Sequence, residues 1–184
     1  MRPGCLLSRS QRVWARQLVG VCRGCTVGGL DVLDQNNISP TLRYISEFKR
    51  EVGRLRTVMP KIWGLHNYSD VNRLQSWRTR ALGRALGGQI WLTETGGIVQ
   101  FGGAFPNRRG SGLKRAARVL GYMFKLAGSQ SRIRRLYIYN WTGVTAKARF
   151  DAGLTDAYYK PRPGYLVVCK RLHAAKCNVK VSNQ

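Results

Sequence analysis

Short apolar runs alternate with longer amphipathic segments along the chain. In the longer segments, apolar residues recur at every third or fourth position, which is the period of a helix with one buried face. Strands that alternate with such helices are typical of βα units and a parallel sheet. The sequence therefore predicts an α/β fold. The four predicted strands are Thr26–Leu30, Lys61–Tyr68, Gln89–Gly97 and Arg135–Trp141.

Capping and turn residues predict where the helices begin and end. Ser39 fits the N-cap of the first helix, and Gly53 fits its end. A second helix, capped by Ser69 or Asp70, is predicted to run as one unit through Leu86, before a glycine pair. The other predicted helices are Ser111–Gly128 and a last helix that begins near Pro163.

Polar or aromatic side chains follow all four predicted strands. In parallel α/β folds the carboxyl ends of the strands lie at one edge, and binding and catalytic groups collect there. A helix cap or a turn is the preferred explanation for Asp34 and Asp70, but it is weaker for Glu94, because glutamate is a poor cap. The residues predicted at this edge are Asp31, Asp34, His66, Asn67, Tyr68, Glu94, Asn140 and Trp141.

Glu94 stands out because the chain contains so few acids. Glu47 and Glu51, the other two glutamates, fit the solvent-facing side of the first predicted helix. A carboxylate near aromatic rings, a histidine and amides indicates sugar chemistry, since it can attack an anomeric carbon or stabilise an oxocarbenium-like transition state. His66 or Tyr68 can orient and ionise such a carboxylate. The candidate sugar contacts are Asn67, Asn140 and Trp141.

Four segments resemble one family of enzymes. The motifs WGLHNYSDVNR, IWLTETGG, LYIYNWTG and FDAGLTDAYYKPRPGY are similar to the C-terminal half of clan A-type retaining glycoside hydrolases, and in detail to glycosyl hydrolases of actinobacteria. The resemblance covers residues 26–172. It implies that the chain forms strands five to eight of a (β/α)₈ TIM barrel, that its ligand is a carbohydrate and that it is secreted. We expect no cofactor and no metal.

The resemblance also assigns roles to individual residues. Glu94 matches the nucleophile that follows the seventh barrel strand. His66 and Tyr68 match the end of the sixth strand, where such enzymes keep a residue bonded to the nucleophile. Trp141 matches the eighth-strand tryptophan that lies under the first sugar. The chain departs from most relatives at residues 158–159, where a tyrosine pair replaces a glycine-containing turn.

The family's acid/base glutamate, which belongs to an Asn-Glu-Pro motif after the fourth strand, has no counterpart in this sequence. A full barrel takes about 250 residues, and this chain has 184. A retaining mechanism needs two carboxylates about 5–5.5 Å apart, and Asp31 and Asp34 are the candidate substitutes. We therefore expect a truncated or altered half-barrel at residues 25–173, an atypical segment at 1–24 and a loose tail at 174–184.

An open half-barrel is expected to leave two sheet edges and its interior side chains without partners, which favours self-association. The side chains expected to face the barrel interior are Ile62, Trp63, Ile90, Leu92, Tyr137 and Tyr139.

Two other interpretations stay open. The first is a carbohydrate-binding remnant without turnover. The second is a protein that binds nucleic acid or another polyanion, because the formal net charge is +24, with 32 Lys and Arg against 8 Asp and Glu. The basic residues are spread over every segment and no nucleic-acid motif is evident, so the carbohydrate interpretation is preferred.

The cysteines and the apolar runs say less about function. Cys22 and Cys25 form a Cys-x-x-Cys pair, and Cys169, His173 and Cys177 lie four residues apart. Zinc is one interpretation, but the second spacing is not standard, and separate buried or oxidised cysteines are preferred. No run is long enough to span a membrane. No signal peptide is evident either, which conflicts with the secretion that the resemblance implies.

Overall fold

A computed structural model describes residues 25–54, 56, 58–145, 148–173 and 177–181. A parallel sheet of four strands organises this part of the chain, as the sequence predicts. The strands are β1 (Gly28–Leu33), β2 (Ile62–His66), β3 (Gln89–Thr95), β4 (Gln100–Phe101), β5 (Ile133–Ile138) and β6 (Phe150–Asp151). The parallel sheet has the order β1-β2-β3-β5, while β4 and β6 form a separate antiparallel pair.

Helices follow the strands. Their bounds are α1 (Ser39–Arg54), α2 (Tyr68–Asn72), α3 (Trp77–Leu86), α4 (Ser111–Gly128) and α5 (Pro163–Arg171), with a short 3₁₀ turn at Arg108–Gly110. The predictions for α1, α4 and α5 are confirmed to within one or two residues, which is the ordinary uncertainty of helix ends. The first strand extends further than predicted, so that Asp31 lies within β1 rather than after it.

The single helix predicted between Ser69 and Leu86 is wrong, because the structure divides it into α2 and α3. Leu74 has a positive φ of 54°, which ends α2 and turns the chain. The carboxylate of Asp70 accepts a hydrogen bond from the Thr79 backbone N–H at 2.7 Å and pairs with Arg78 at 3.2 Å. Asp70, which lies in α2, therefore caps α3. Its carboxylate supplies an acceptor for a backbone N–H in the first turn of α3, which has no partner within that helix.

One face of the parallel sheet packs against helices and forms the main core. Ile45 of α1 and Leu82 of α3 meet Trp63, Leu65 and other strand residues there. Burial of each such side chain stabilises the fold by about 1.5–3 kcal/mol. The expectation that Trp63, Ile90 and Leu92 face a barrel interior is wrong, since all of them belong to this helix-covered core. Periodicity marks which residues share a face but not which face the helices cover.

The opposite face of the sheet carries Asp31, His66, Trp91, Thr93 and Tyr137, and we call it the open face. Tyr137 remains 45% exposed there, and its ring lies 6.3 Å from the ring of Trp91. The guanidinium carbon of Arg135 lies 4.7 Å from the centroid of the same indole ring. These contacts cover the face only in part, in contrast to the helix-covered side.

A second core joins α4 and α5. Leu120 and Met123 of α4 pack with Leu154 and with Val168 of α5. Cys169 of α5 forms a disulfide with Cys177, which agrees with the preferred interpretation of oxidised cysteines.

Several predictions fall on residues that the structure does not describe. The segment 1–24, with Cys22, lies outside the described residues, and so does part of the tail at 174–184. Among the residues that are described, no group of side chains could hold a metal ion. No helix in the described ranges is long and apolar enough to cross a membrane.

Candidate functional site

Glu94 lies at the carboxyl end of β3, next to His66 at the end of β2. Strict alternation along β3 would place its side chain on the helix-covered face with Ile90. The register shifts between the Gly64–Trp91 pair and the His66–Glu94 pair, where two steps along β2 match three steps along β3. This extra residue turns Glu94 away from the helices and toward His66.

Tyr68 holds one oxygen of Glu94. It is the first residue of α2, and its Oη donates a hydrogen bond to Glu94 Oε1 at 3.2 Å. Burial, and after it the negative charge of Glu94, raise the pKa of the Tyr68 hydroxyl far above its usual value. The phenol therefore keeps its proton and acts only as a donor to the carboxylate.

His66 lies between two carboxylates. Its Nδ1 is 3.5 Å from Glu94 Oε2, and its Nε2 is 3.4 Å from Asp31 Oδ1. Asp31 also accepts a hydrogen bond from Thr93 Oγ1 at 2.7 Å. A neutral imidazole donates from one nitrogen and an imidazolium from both, so protonation of His66 would let it serve both acids at once.

Gly64 makes room for Asp31 on the open face. The two residues are paired across β1 and β2, and a Cβ atom at position 64 would collide with the Asp31 carboxylate. Asp31 can approach His66 only because this neighbour has no side chain.

Asp34 fixes the start of α2, the helix whose first residue is Tyr68. Its carboxylate accepts hydrogen bonds from the backbone N–H groups of Ser69 at 2.8 Å and Asp70 at 2.7 Å. Its own N–H donates to the His66 carbonyl at 2.9 Å. Burial raises the pKa of Asp34 to about 7, while the two N–H groups act in the opposite direction. Asp34 and Asp70 both act as helix caps. The prediction that Ser69 or Asp70 caps its own helix is wrong, however, because α2 begins at Tyr68 and Asp70 caps α3 instead.

Glu94, His66 and Tyr68 open into a cleft of about 630 Å³. This volume is in the usual range for a small-ligand site. Arg73 is a cation that also lines the cleft. Polar amides come from the loop after β1, and aromatic rings come from the segments around β4 and β6. These residues are Gln35, Asn36, Asn37, Phe101, Phe105 and Phe150.

The aromatic side of the cleft is assembled from distant parts of the chain. Phe101 and Phe150 are paired across β4 and β6 with ring centroids 5.6 Å apart, and Phe150 lies 6.2 Å from the ring of Tyr68. The ring of Phe105 lies 5.5 Å from the guanidinium of Arg73. Sequence reasoning missed these phenylalanines because the segments that carry them show no periodic pattern. It also missed the amides after Asp34, which the same strand-end rule could have found.

The structure brings together three of the six predicted site residues, Glu94, His66 and Tyr68. Asn67 is fully buried, and its Nδ2 lies 3.4 Å from Thr79 Oγ1. Asn140 donates to the Thr142 carbonyl at 2.8 Å. Trp141 is 58% exposed and packs edge-on against Tyr165. None of these three lines the cleft, so their contacts with sugar stay a prediction.

Comparison with known proteins gives a match in structure but not in sequence. No protein-family model matches the chain, and no curated protein matches it. An endo-1,4-β-xylanase from Penicillium canescens has a TM-score of 0.56 and 13% identity over 93% of this chain and 52% of its own. Xylanase 10B from Thermotoga petrophila, solved with xylobiose, has a TM-score of 0.53 and 16% identity over 81% of this chain and 46% of its own.

These neighbours are TIM-barrel glycoside hydrolases. The chain shares with them an α/β architecture built on a parallel sheet. A β-glucuronidase from Ruminococcus gnavus, in complex with an N1-substituted uronic isofagomine, has a TM-score of 0.54 and 10% identity over 90% of this chain and 29% of its own. The chain spans about half the length of the two xylanases. At such low identities, the likeness concerns the α/β architecture and not the activity.

Proposed function

We propose that this chain is a glycoside hydrolase-like protein that binds carbohydrate in the cleft, with Glu94 directed at the anomeric carbon. One observation carries the proposal. Glu94 lies at the carboxyl end of a central parallel strand, with Tyr68 Oη 3.2 Å from one of its oxygens and His66 Nδ1 3.5 Å from the other. The likeness to TIM-barrel glycoside hydrolases supports it, because such enzymes place their chemistry at this end of the strands.

In this proposal Glu94 acts as the nucleophile. A carboxylate in this position can attack the anomeric carbon or stabilise an oxocarbenium-like transition state. Tyr68 fixes the carboxylate by donating a hydrogen bond, and His66 fixes its second oxygen. The phenylalanine rings offer apolar surface to the faces of sugar rings, while the amides of the loop after β1 suit sugar hydroxyls.

The same proposal places the four parallel strands at positions five to eight of a TIM barrel. Strand order follows chain order, as it does in a barrel. Two observations support this assignment. The chain spans about half the length of the two xylanases, and the tyrosines of the open face are exposed. In such a half-barrel the open face is the part that a missing half, or a second copy of the chain, would cover.

A second catalytic carboxylate does not line the cleft. The chain has 8 acidic residues, all within the described ranges, and Glu94 is the one that lines this cavity. Asp34 is fully buried, and Asp31 is engaged by Thr93 and His66. The leaving oxygen of a natural glycoside would therefore depart without a proton, and proton assistance is typically worth about 10²–10⁴-fold in rate.

The experiment uses activated aryl glycosides, whose leaving groups need little acid assistance. Aryl xylosides and aryl glucuronides are tested because the structural neighbours include xylanases and a β-glucuronidase. We expect slow hydrolysis that is lost in Glu94→Gln and kept in Glu47→Gln, a matched change on α1. Natural xylo-oligosaccharides should be hydrolysed negligibly. Rapid hydrolysis of xylo-oligosaccharides, abolished by Glu94→Gln, would show that an acid supplied by this chain has been overlooked.

Carbohydrate binding without turnover is the second candidate, and the absence of a second acid from the described cleft lining favours it. Calorimetric titration with xylo-oligosaccharides separates it from the first. Binding that persists in Glu94→Gln, together with no hydrolysis of any aryl glycoside, would assign this function. Trp141→Ala then tests the predicted contact under the first sugar, with weaker binding of xylo-oligosaccharides expected.

A further inference from the structure

A second cavity lies at the amino-terminal ends of the parallel strands, whereas Glu94 lies at the carboxyl end of β3. Ile90 and Ile133, near the amino ends of β3 and β5, contribute to its lining. Its volume is about 320 Å³. The cavity is bounded by α3 and by the turn between α4 and β5. Its polar lining consists of Thr79, Arg80, Arg84, Ser129, Gln130, Ser131 and Arg132.

The charge of this cavity is entirely positive. No aspartate or glutamate occurs among the described residues that line it. The side chains of Arg80, Arg84 and Arg132 make no hydrogen bond, ion pair or ring contact with other described residues. Like charges that share one concave site repel each other, and a concave site also concentrates their field on any anion that enters.

Unused hydrogen-bond donors occur among the residues that line this cavity. Each guanidinium carries five N–H groups in a planar fork and no acceptor. Gln130 Nε2 is buried and has no hydrogen-bond partner within the described part of the chain. A cavity with several free donors and a buried unpaired amide is short of acceptor oxygens.

Helix dipoles account for only part of this arrangement. Arg84 lies in the last turn of α3, where a cation is favoured by the partial negative charge of the helix end. Arg80 lies in the first turn of the same helix, where a cation is disfavoured, and Arg132 precedes β5 in a turn. Their presence around one cavity is therefore not explained by helix ends alone.

We propose that this cavity binds the phosphate or sulfate group of a small soluble molecule. Guanidinium forks match tetrahedral oxyanions in geometry and charge. The volume suits a small ligand rather than an extended chain. The site is independent of Glu94, which lies at the other end of β3, so it stands whether or not the cleft binds sugar.

The test is calorimetric and thermal titration of the full chain with inorganic pyrophosphate, with sodium sulfate as a second probe and sodium chloride at equal ionic strength as the blank. We expect saturable binding and a rise in melting temperature that chloride does not reproduce. A variant with Arg80→Gln, Arg84→Gln and Arg132→Gln should bind at least about tenfold more weakly, since one charge-assisted hydrogen bond alone is worth that much.

The control variant carries Arg43→Gln, Arg50→Gln and Arg118→Gln, which removes the same charge from exposed helix positions. It should bind pyrophosphate as the unchanged chain does. Equal weakening in both triple variants, or no saturation, would overturn the proposal. If the cavity triple variant fails to fold, the three single variants are compared with Arg43→Gln, and the same outcomes apply.

A short single-stranded oligonucleotide separates this site from general attraction to polyanions. If the oligonucleotide binds, the two triple variants should lose equal affinity for it, because exposed charges act collectively on a long polyanion. A different outcome is that the oligonucleotide displaces pyrophosphate from the unchanged chain and from the control variant but not from the cavity variant. That result would overturn the proposal of a small ligand and assign the cavity to the terminus of a nucleic acid.

Discussion

The helix-covered face and the open face of the parallel sheet are made by the same strands, yet they differ in burial. On the covered face Trp63, Leu65 and Leu92 are at most 1% exposed. On the open face Tyr137 is 45% exposed, and Tyr139 beyond the end of β5 is 42% exposed. Both faces carry large side chains, so the difference arises from what packs on them. The covered face supplies the stability that allows polar groups to gather at the end of the open face.

The largest expected effect contrasts one residue from each face. Leu92→Ala should lower the free energy of unfolding by about 2–5 kcal/mol, because it leaves a cavity in the covered core. Tyr137→Ala should cost less than about 1.5 kcal/mol, since it loses one partly exposed aromatic contact. Urea unfolding followed by circular dichroism measures both. Equal losses would show that the open face is a core in its own right.

The next largest expected effect is on the pH dependence of the free energy of unfolding, and it comes from the buried acid Asp34. Its pKa is raised from 3.8 to about 7 in the folded chain. Between these values the folded state binds more protons than the unfolded state, so this group makes stability fall as pH rises. The loss should be on the order of 1–4 kcal/mol.

Asp34→Asn cannot titrate and should lack this part of the slope, although it also loses a hydrogen-bond acceptor and should be less stable at low pH. Urea midpoints of both proteins from pH 4 to pH 7.5 test this. Parallel curves would mean that Asp34 keeps its charge through the whole range.

Gly64 tests how tightly the open face is built around Asp31. Gly64→Ala should lower the free energy of unfolding by about 1–3 kcal/mol, since the new methyl group displaces the Asp31 carboxylate. The control is Gly121→Ala on α4, where a Cβ meets nothing within 4 Å. That change should be neutral or stabilising by up to about 1 kcal/mol, because alanine favours the helix. If Gly64→Ala behaves like the control, Asp31 is not held in place.

Self-association through the open face is the smallest expected effect. The charge of +24 keeps copies apart at low salt. At 1 M salt the screening length falls to about 3 Å, and association should become measurable. Sedimentation should then show a higher average mass for the unchanged chain than for the double variant Tyr137→Ser and Tyr139→Ser. The same mass for both would locate the contact elsewhere.

The sequence predicted the parallel sheet and the meeting of Glu94, His66 and Tyr68, because both follow from rules that act over a few residues. Apolar period, caps and strand ends are all local signals. The break at Leu74 was missed because it depends on the Asp70 carboxylate capping a helix nine residues further on.

The aromatic side of the cleft could not be predicted for a related reason. Phe101 and Phe150 are paired through two-residue strands, and such short strands leave no alternation to read. Which face of the sheet the helices cover was also beyond the sequence. The six residues expected in the barrel interior mixed the two faces, since Ile62 and Trp63 are neighbours in β2 and point to opposite sides. Only tertiary packing decides which of the two sides the helices cover.

The register shift in β3 decides on which face of the sheet the Glu94 carboxylate lies. The glutamate side chain points to His66 rather than to the helices because the extra residue between Trp91 and Glu94 is absorbed by the register shift. A sequence that kept strict alternation from Trp91 to the glutamate at this spacing would contain every chemical group, but its carboxylate would point to the helices. A comparison by residue identity would count such a sequence as having the glutamate, although its molecule would have lost the site.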